Sequence, residues 1–149
     1  MSSRQADEQQ IVGGAILGGG FTPHNTAPTN EFDLHVQNRH VLNSNDRLNA
    51  FVKAGHTKHI RTLAFATAQN AGFSPMYIAH CTVFISFQDE RRRDIGNLYP
   101  TVKAAIDGFV DAGIVTDDDH SHFIGPDMRL GGKSPKNTTT FHFEFREVA

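Results

Sequence analysis

The chain has one cysteine, no tryptophan and two tyrosines among its 149 residues. A single thiol, Cys81, excludes an internal disulfide and every cysteine-rich zinc site. It sits in an apolar, strand-like run and reads as a buried, inert thiol in a reducing cytoplasm. No apolar run approaches the length of about 20 residues that a membrane-crossing helix needs, so no membrane span is expected. A secretory leader is not expected either. Arg4–Gln10 mixes charges with amides, and the stretch that follows, Ile11–Gly20, is half glycine. Overall basicity is missing as well: the net charge is −2, so bulk charge does not argue for nucleic acid. No phosphate-cradling glycine loop and no nucleophile elbow occurs; Gly131-Gly132-Lys133 reads as a turn-rich connection.

What is present describes one α/β (α+β) domain, a small mixed sheet packed with two main helices. Residues 1–30 read as a flexible tail, rich in glycine and without periodicity, and 31–149 as the domain. Phe32, Leu34 and Val36 alternate with polar residues as in a half-buried strand. The polar cluster Asn43–Asp46 then leads into a helical region, expected in two pieces with a weak point at Gly55. Its buried face is Ile60, Leu63, Ala64, Thr67 and Ala71, and Gly72 and Pro75 end it. Cys81–Phe87 is apolar on both alternations and reads as a central strand covered on both faces. A second helix is expected over about 98–112. Asn97 is its N-cap, Pro100 lies in the first turn, Gly113 follows the end, and Leu98, Val102, Ile106 and Phe109 form the buried stripe. A short strand near Phe123 and a strong one through Phe141, Phe143 and Phe145 close the order.

Charge is distributed unevenly. Arg47, Lys53, Lys58 and Arg61 stand close together with Asp46 as the one acid beside them, and Arg91, Arg92 and Arg93 are consecutive, whereas Asp117, Asp118 and Asp119 form an acidic triplet. Basic patches beside an acidic cluster suit a protein that grips phosphates and holds a metal among them. Three adjacent carboxylates repel one another, which a hard divalent cation relieves. Asp94 follows the central strand and the triplet follows the second helix, so a strand–helix–return unit is expected to bring both connections to neighbouring places. Lys103 and Asp107, four residues apart, make an ordinary helix ion pair, with Asp111 continuing the stripe. Alternatively, Lys103 leans toward the metal and stabilises the scissile phosphate.

Three stretches together resemble the RusA-like family of Holliday junction resolvases, especially the short versions from phages of actinobacteria. They are Leu42–Leu48; Arg92–Gly113, with Asp94, Gly96, Asn97, Pro100, Lys103 and Asp107; and Asp117–Asp119 followed by Gly125–Arg129. The resemblance covers roughly residues 32–146. It implies a homodimer that cuts four-way DNA junctions by paired nicks with Mg²⁺, Mn²⁺ being a possible substitute. It places the metal on Asp94 and on Asp117 or Asp118, with Asp119 adjacent, and gives a catalytic role to Lys103. It also lays Asn43, Asn45 and Arg47 on the DNA backbone, while Lys53, Lys58, Arg61 and Arg91–Arg93 would add sequence-independent phosphate contacts. The chain departs from the family in two places. Gly96 stands where the family has a second aspartate, and Lys103 lies farther beyond Asp94 than the usual spacing. Asn97, Asp107 or Asp119 could supply a replacement oxygen. The competing readings are a protein that binds branched DNA with little or no cutting, which Gly96 favours, and a phosphodiesterase acting on another branched DNA or on RNA.

Nine histidines are present. His56 and His59 fall on a helix, and His120 and His122 flank the acidic triplet. None has zinc-finger spacing with a cysteine. They are expected at the surface or behind the ligands, with His120 a candidate helper for metal-bound water.

Overall fold

The computed structural model describes residues 28–116 and 121–148. The chain runs through strand β1 (Thr29–Gln37), helix α1 (Ala50–Ala71), strand β2 (Ala79–Phe87), helix α2 (Tyr99–Ala112), strand β3 (Phe123–Lys133) and strand β4 (Thr138–Glu147), with short 3₁₀ turns at Asn38–His40 and Ile95–Leu98. The four strands form one mixed sheet in the order β1-β4-β2-β3. β4 is antiparallel to both β1 and β2, and β3 runs parallel to β2. This is the expected fold class.

The period-2 pattern determines which side of the sheet closes. In β1 the exposed and buried residues alternate without a break, and β2 alternates buried with half-buried ones. Phe32, Leu34, Val36, Val83, Ile85, Phe141, Phe143 and Phe145 form a single core with Ile60, Val102 and Phe109 of the helices. Phe109 is the hub, with its ring 5.1 Å from Phe32, 5.0 Å from Phe143 and 5.4 Å from Phe145. α1 and α2 also pack on each other. A Cβ at Gly108 would lie 2.2 Å from the Arg61 carbonyl oxygen and 2.9 Å from the Ala64 Cβ, so the helices approach where α2 has no side chain.

Several expectations change. α1 is one continuous helix. Gly55 costs about 1 kcal/mol relative to alanine, but the Asn49 side chain accepts from the Val52 N–H at the start, and Ile60, Ala64 and Ala68 are buried along it. Ala68, not Ala71, completes that stripe. The Asn97 cap is replaced by Asp94, whose carboxylate accepts from the Gly96 N–H and opens the 3₁₀ turn that leads into α2. The rest of α2 is as expected: Leu98, Val102, Ile106 and Phe109 are buried, and Gly113 ends the helix in the left-handed region. β2 is central, but its second face is half-buried, with Thr82, Phe84 and Ser86 lying under no described element. The segment near Phe123 is a strand of 11 residues. Gly125, Pro126 and Gly131 hid its length in the sequence, and an edge position with irregular pairing accommodates them.

The tail boundary also moves. Thr29 and Asn30 belong to β1, and the Asn30 amide is buried against the loop after α1, donating to the Ser74 carbonyl at 2.8 Å and accepting from its N–H at 3.1 Å. Residues 1–27 lie outside the described residues. Cys81 is buried, and burial together with nearby Asp127 pushes its thiol far above the ordinary range, as an inert thiol requires. No helix among the described residues is long and apolar enough to cross a membrane.

Candidate functional site

Where β1 and β2 end and β4 begins, two of the sequence stretches meet. The buried Thr101 hydroxyl accepts from the Leu42 N–H and donates to the Leu42 carbonyl, each at 2.7 Å. The Ser44 N–H reaches the Asn97 carbonyl at 2.7 Å. The loop holds its own shape through side chains: the Asn45 N–H donates to Asn43 Oδ1 at 2.8 Å and the Asn43 N–H to Asp46 Oδ2 at 3.1 Å. The result is a cleft of about 500 Å³ lined by Arg39, Asn43, Asp46, His56, Arg93, Asp94 and Asn97, among others. Four of the sequence-predicted site residues, Asn43, Arg93, Asp94 and Asn97, are therefore brought together. Asp46, Arg39 and His56 join them without having been assigned a role. Asp46 lay within a recognised stretch but read as loop, and nothing local marks the other two.

Around this cleft the basic residues gather. Four neighbouring concavities share lining residues: Leu48 joins the cleft to a groove along α1, Phe87 and Arg93 join it to a groove against β3, and Asn38 and Arg39 join it to the start of β4. Together they are lined by Arg39, Lys53, Lys58, Arg61, Arg91, Arg92, Arg93, Lys133 and Lys136, against four acids, Asp46, Asp89, Glu90 and Asp94. Nine of the chain's 14 cationic side chains thus line the cleft or a concavity that adjoins it, in a protein whose net charge is −2. Arg47 and Asn45 are exposed on the loop between the cleft and α1.

Not all of these cations face outward equally. Arg93 lies 4.5 Å over the Phe87 ring and pairs with Asp89 at 2.8 Å. Asp89 also pairs with Arg91 at 3.1 Å. The Arg91 backbone N–H, with the two guanidinium groups, holds the Asp89 carboxyl down at about 2. Arg61 grips Asp111 with two hydrogen bonds, at 2.6 and 2.9 Å, tying α1 to α2. That hydrogen bond is the main cause of the lowered Asp111 pKa. Lys103 pairs with Asp107 at 2.9 Å within α2 and is not among the residues that line the cleft. Arg92 is exposed.

Asp117, Asp118, Asp119 and His120 lie outside the described residues. The residues on either side of them have defined places. The Met76 N–H donates to the Ile114 carbonyl at 2.7 Å, Val115 bridges Met76, and the Ala79 N–H donates to the His122 carbonyl at 3.0 Å. Both flanks therefore stand at the start of β2, whereas Asp94 follows its end. Eight residue steps of strand separate those ends, about 26 Å at the usual rise. The described flanks thus stand at the end of β2 opposite to the one that Asp94 follows, because a helix that returns along its strand exits at the opposite end; the triplet itself lies outside the described residues. His122 is engaged locally, with Nδ1 3.1 Å from the Tyr77 carbonyl.

Three other histidines, His40, His56 and His59, group beside the cleft, which His56 lines. His40 stacks at 4.2 Å on His59, and its Nδ1 is 3.3 Å from that of His56. Burial, then the charges of His59, Arg39 and His56, lowers the His40 pKa. No protein-family model matches the chain, and no curated protein does.

Proposed function

We propose that this protein is a divalent-metal-dependent endonuclease for branched DNA, in the manner of a RusA-like junction resolvase. The observation that carries the proposal is the basic margin: grooves lined by nine cations adjoin the cleft where Asp94 meets the Asn43–Asp46 loop. Phosphate backbones bind such margins without reading sequence. The donors lining the cleft, Asp46 and Asp94 with the amides of Asn43 and Asn97, offer oxygen atoms, which suits Mg²⁺ or Mn²⁺. A bound ion supplies neutralisation of the cleaved phosphate and an acidified water. The chain's own part is to position the strand: Lys53, Lys58, Arg91 and Arg92 hold phosphates, and Arg93, braced on Phe87, borders the cleft. The residues flanking the triplet stand about 26 Å of strand away, so in this reading Asp94 works with Asp117–Asp119 of a second copy, as a homodimer on a two-fold junction allows.

Purified protein is incubated with a labelled four-way junction in Mg²⁺. Asp94→Asn and Asp118→Asn are each expected to retain binding and lose cutting. Mixed and refolded together, they should regain nicking, because a heterodimer contains one site with both acids intact. No regain would overturn the two-copy arrangement, and wild-type cutting by Asp94→Asn would overturn the nuclease reading. A second reading, branched-DNA binding without cutting, is favoured by Gly96, which offers no ligand, and by the use of the Asp94 carboxylate as a turn cap. A shifted junction with no nicked product in either Mg²⁺ or Mn²⁺ would select it.

A further inference from the structure

The face of the sheet turned away from the helices carries a second constellation, separate from the cleft. Asp33 pairs across the strands with His142, and Glu31 with Glu144. Like charges directly opposite on one face destabilise a sheet unless something stands between them. Here an imidazole does: His142 Nε2 is 3.2 Å from a Glu31 oxygen and 3.5 Å from a Glu144 oxygen. The other ring nitrogen, Nδ1, is hydrogen-bonded to Asp33 at 2.6 Å. One ligand atom from each of Glu31, His142 and Glu144 lies within 4.8 Å of the others.

We propose that Glu31, His142 and Glu144 form a three-ligand site for a divalent transition-metal ion of the zinc class, with Asp33 orienting the imidazole. Three features support it. First, tetrahedral zinc, with bonds of about 2.0–2.1 Å to nitrogen and oxygen, separates its ligand atoms by about 3.3 Å. The two Nε2–oxygen distances bracket that value. Second, a ligating histidine characteristically gives its other ring nitrogen to a carboxylate, which fixes the tautomer and points the lone pair at the ion; Asp33 holds that position. Third, the charge fits. A protonated imidazole leaves Asp33, Glu31 and Glu144 two charges in excess, whereas a doubly charged ion beside a neutral imidazole leaves one. The imidazole ligand favours zinc, cobalt or nickel over magnesium. Glu31 is exposed and the other two are half-buried, so the fourth position is open to water. The ion would clamp β1, an edge strand, to β4.

The test uses the full-length, metal-stripped protein titrated with Zn²⁺ by calorimetry and with Co²⁺ by visible absorption. His142→Ala should bind one equivalent fewer than wild type and lose the corresponding cobalt band. Asp94→Asn and the double variant His40→Ala/His59→Ala should keep it, which separates this site from the cleft and from the histidine stack. Asp33→Asn should weaken binding by about 10–100-fold. In wild type, Zn²⁺ should shift the His142 Nε2 resonance and raise the melting temperature, and the melting shift should vanish in Glu31→Gln/Glu144→Gln. Equal stoichiometry in wild type and His142→Ala, or an unmoved His142 resonance at saturating Zn²⁺, would overturn the proposal and leave the imidazolium alone to balance the carboxylates.

Discussion

The two faces of the sheet are made from alternate residues of the same strands, yet they obey different physics. In β1 and β4, Phe32, Leu34, Phe141, Phe143 and Phe145 face the helices, while Glu31, Asp33, His142 and Glu144 face away. The covered face is held by burial, and each side chain there touches several others. The open face is held by pairs of charges in partial contact with water, where single interactions are worth little. Stability therefore resides on one side, leaving the other side and the basic margin free to carry charge that a core could not tolerate.

The largest expected effect is on the covered side. Phe109→Ala removes the ring that contacts Phe32, Phe143 and Phe145. It should cost about 3–5 kcal/mol in denaturant unfolding, and a loss under 1 kcal/mol would break the contrast between the faces. Gly108→Ala forces a methyl against the Arg61 carbonyl. A cost of about 1–3 kcal/mol is expected, and an unchanged midpoint would show that the helices can part freely. Thr101→Val leaves the Leu42 N–H and carbonyl without their buried partner. It should cost about 1–3 kcal/mol and also weaken junction binding, because the Asn43–Asp46 loop loses its anchor; a stability loss with unaltered binding would uncouple that loop from the cleft.

Smaller effects belong to exposed charges. Arg61 holds the Asp111 pKa below the usual carboxylate range. A depressed folded pKa means that this contribution is present at neutral pH and lost as pH falls through the carboxylate range. Asp111→Asn should therefore cost at most about 1 kcal/mol at pH 7, and melting curves should show the difference from wild type shrinking in acid. A gap that widened instead would reverse the sign of the interaction. In metal-free protein, Glu31→Gln relieves the repulsion opposite Glu144 and should change stability by less than about 1 kcal/mol, toward stabilisation. A large loss would mean the open face carries more of the fold than the contrast allows.

The parts of the fold legible in the sequence were those with an unbroken period. The Phe141–Phe145 strand and the Leu98–Phe109 stripe follow from spacing alone. Only the Phe123 end of β3 was legible, because Gly125, Pro126 and Gly131 suppress the pattern that an edge strand does not need. Within the candidate site, Arg93 and Asp94 stood out through local charge and position after the central strand, and Asn43 and Asn97 through the family resemblance. Asp46, Arg39, Lys133 and Lys136 did not, because their significance comes from neighbours about 40 or more residues away, and the sequence carries no signal for that.

By itself, the sequence determined the alternation, the helix ends at Gly72 and Gly113, the fold class and the uneven charge, since each depends on residues within a few positions of one another. The tertiary structure alone decided which loops share an end of the sheet. A helix that follows a parallel strand must run back along it, so Asp94 leaves one end of β2 and the flanks of the acidic triplet stand at the other. It also decided that Glu31, Asp33, His142 and Glu144 meet, because antiparallel register places side by side residues that lie more than 100 positions apart in the chain.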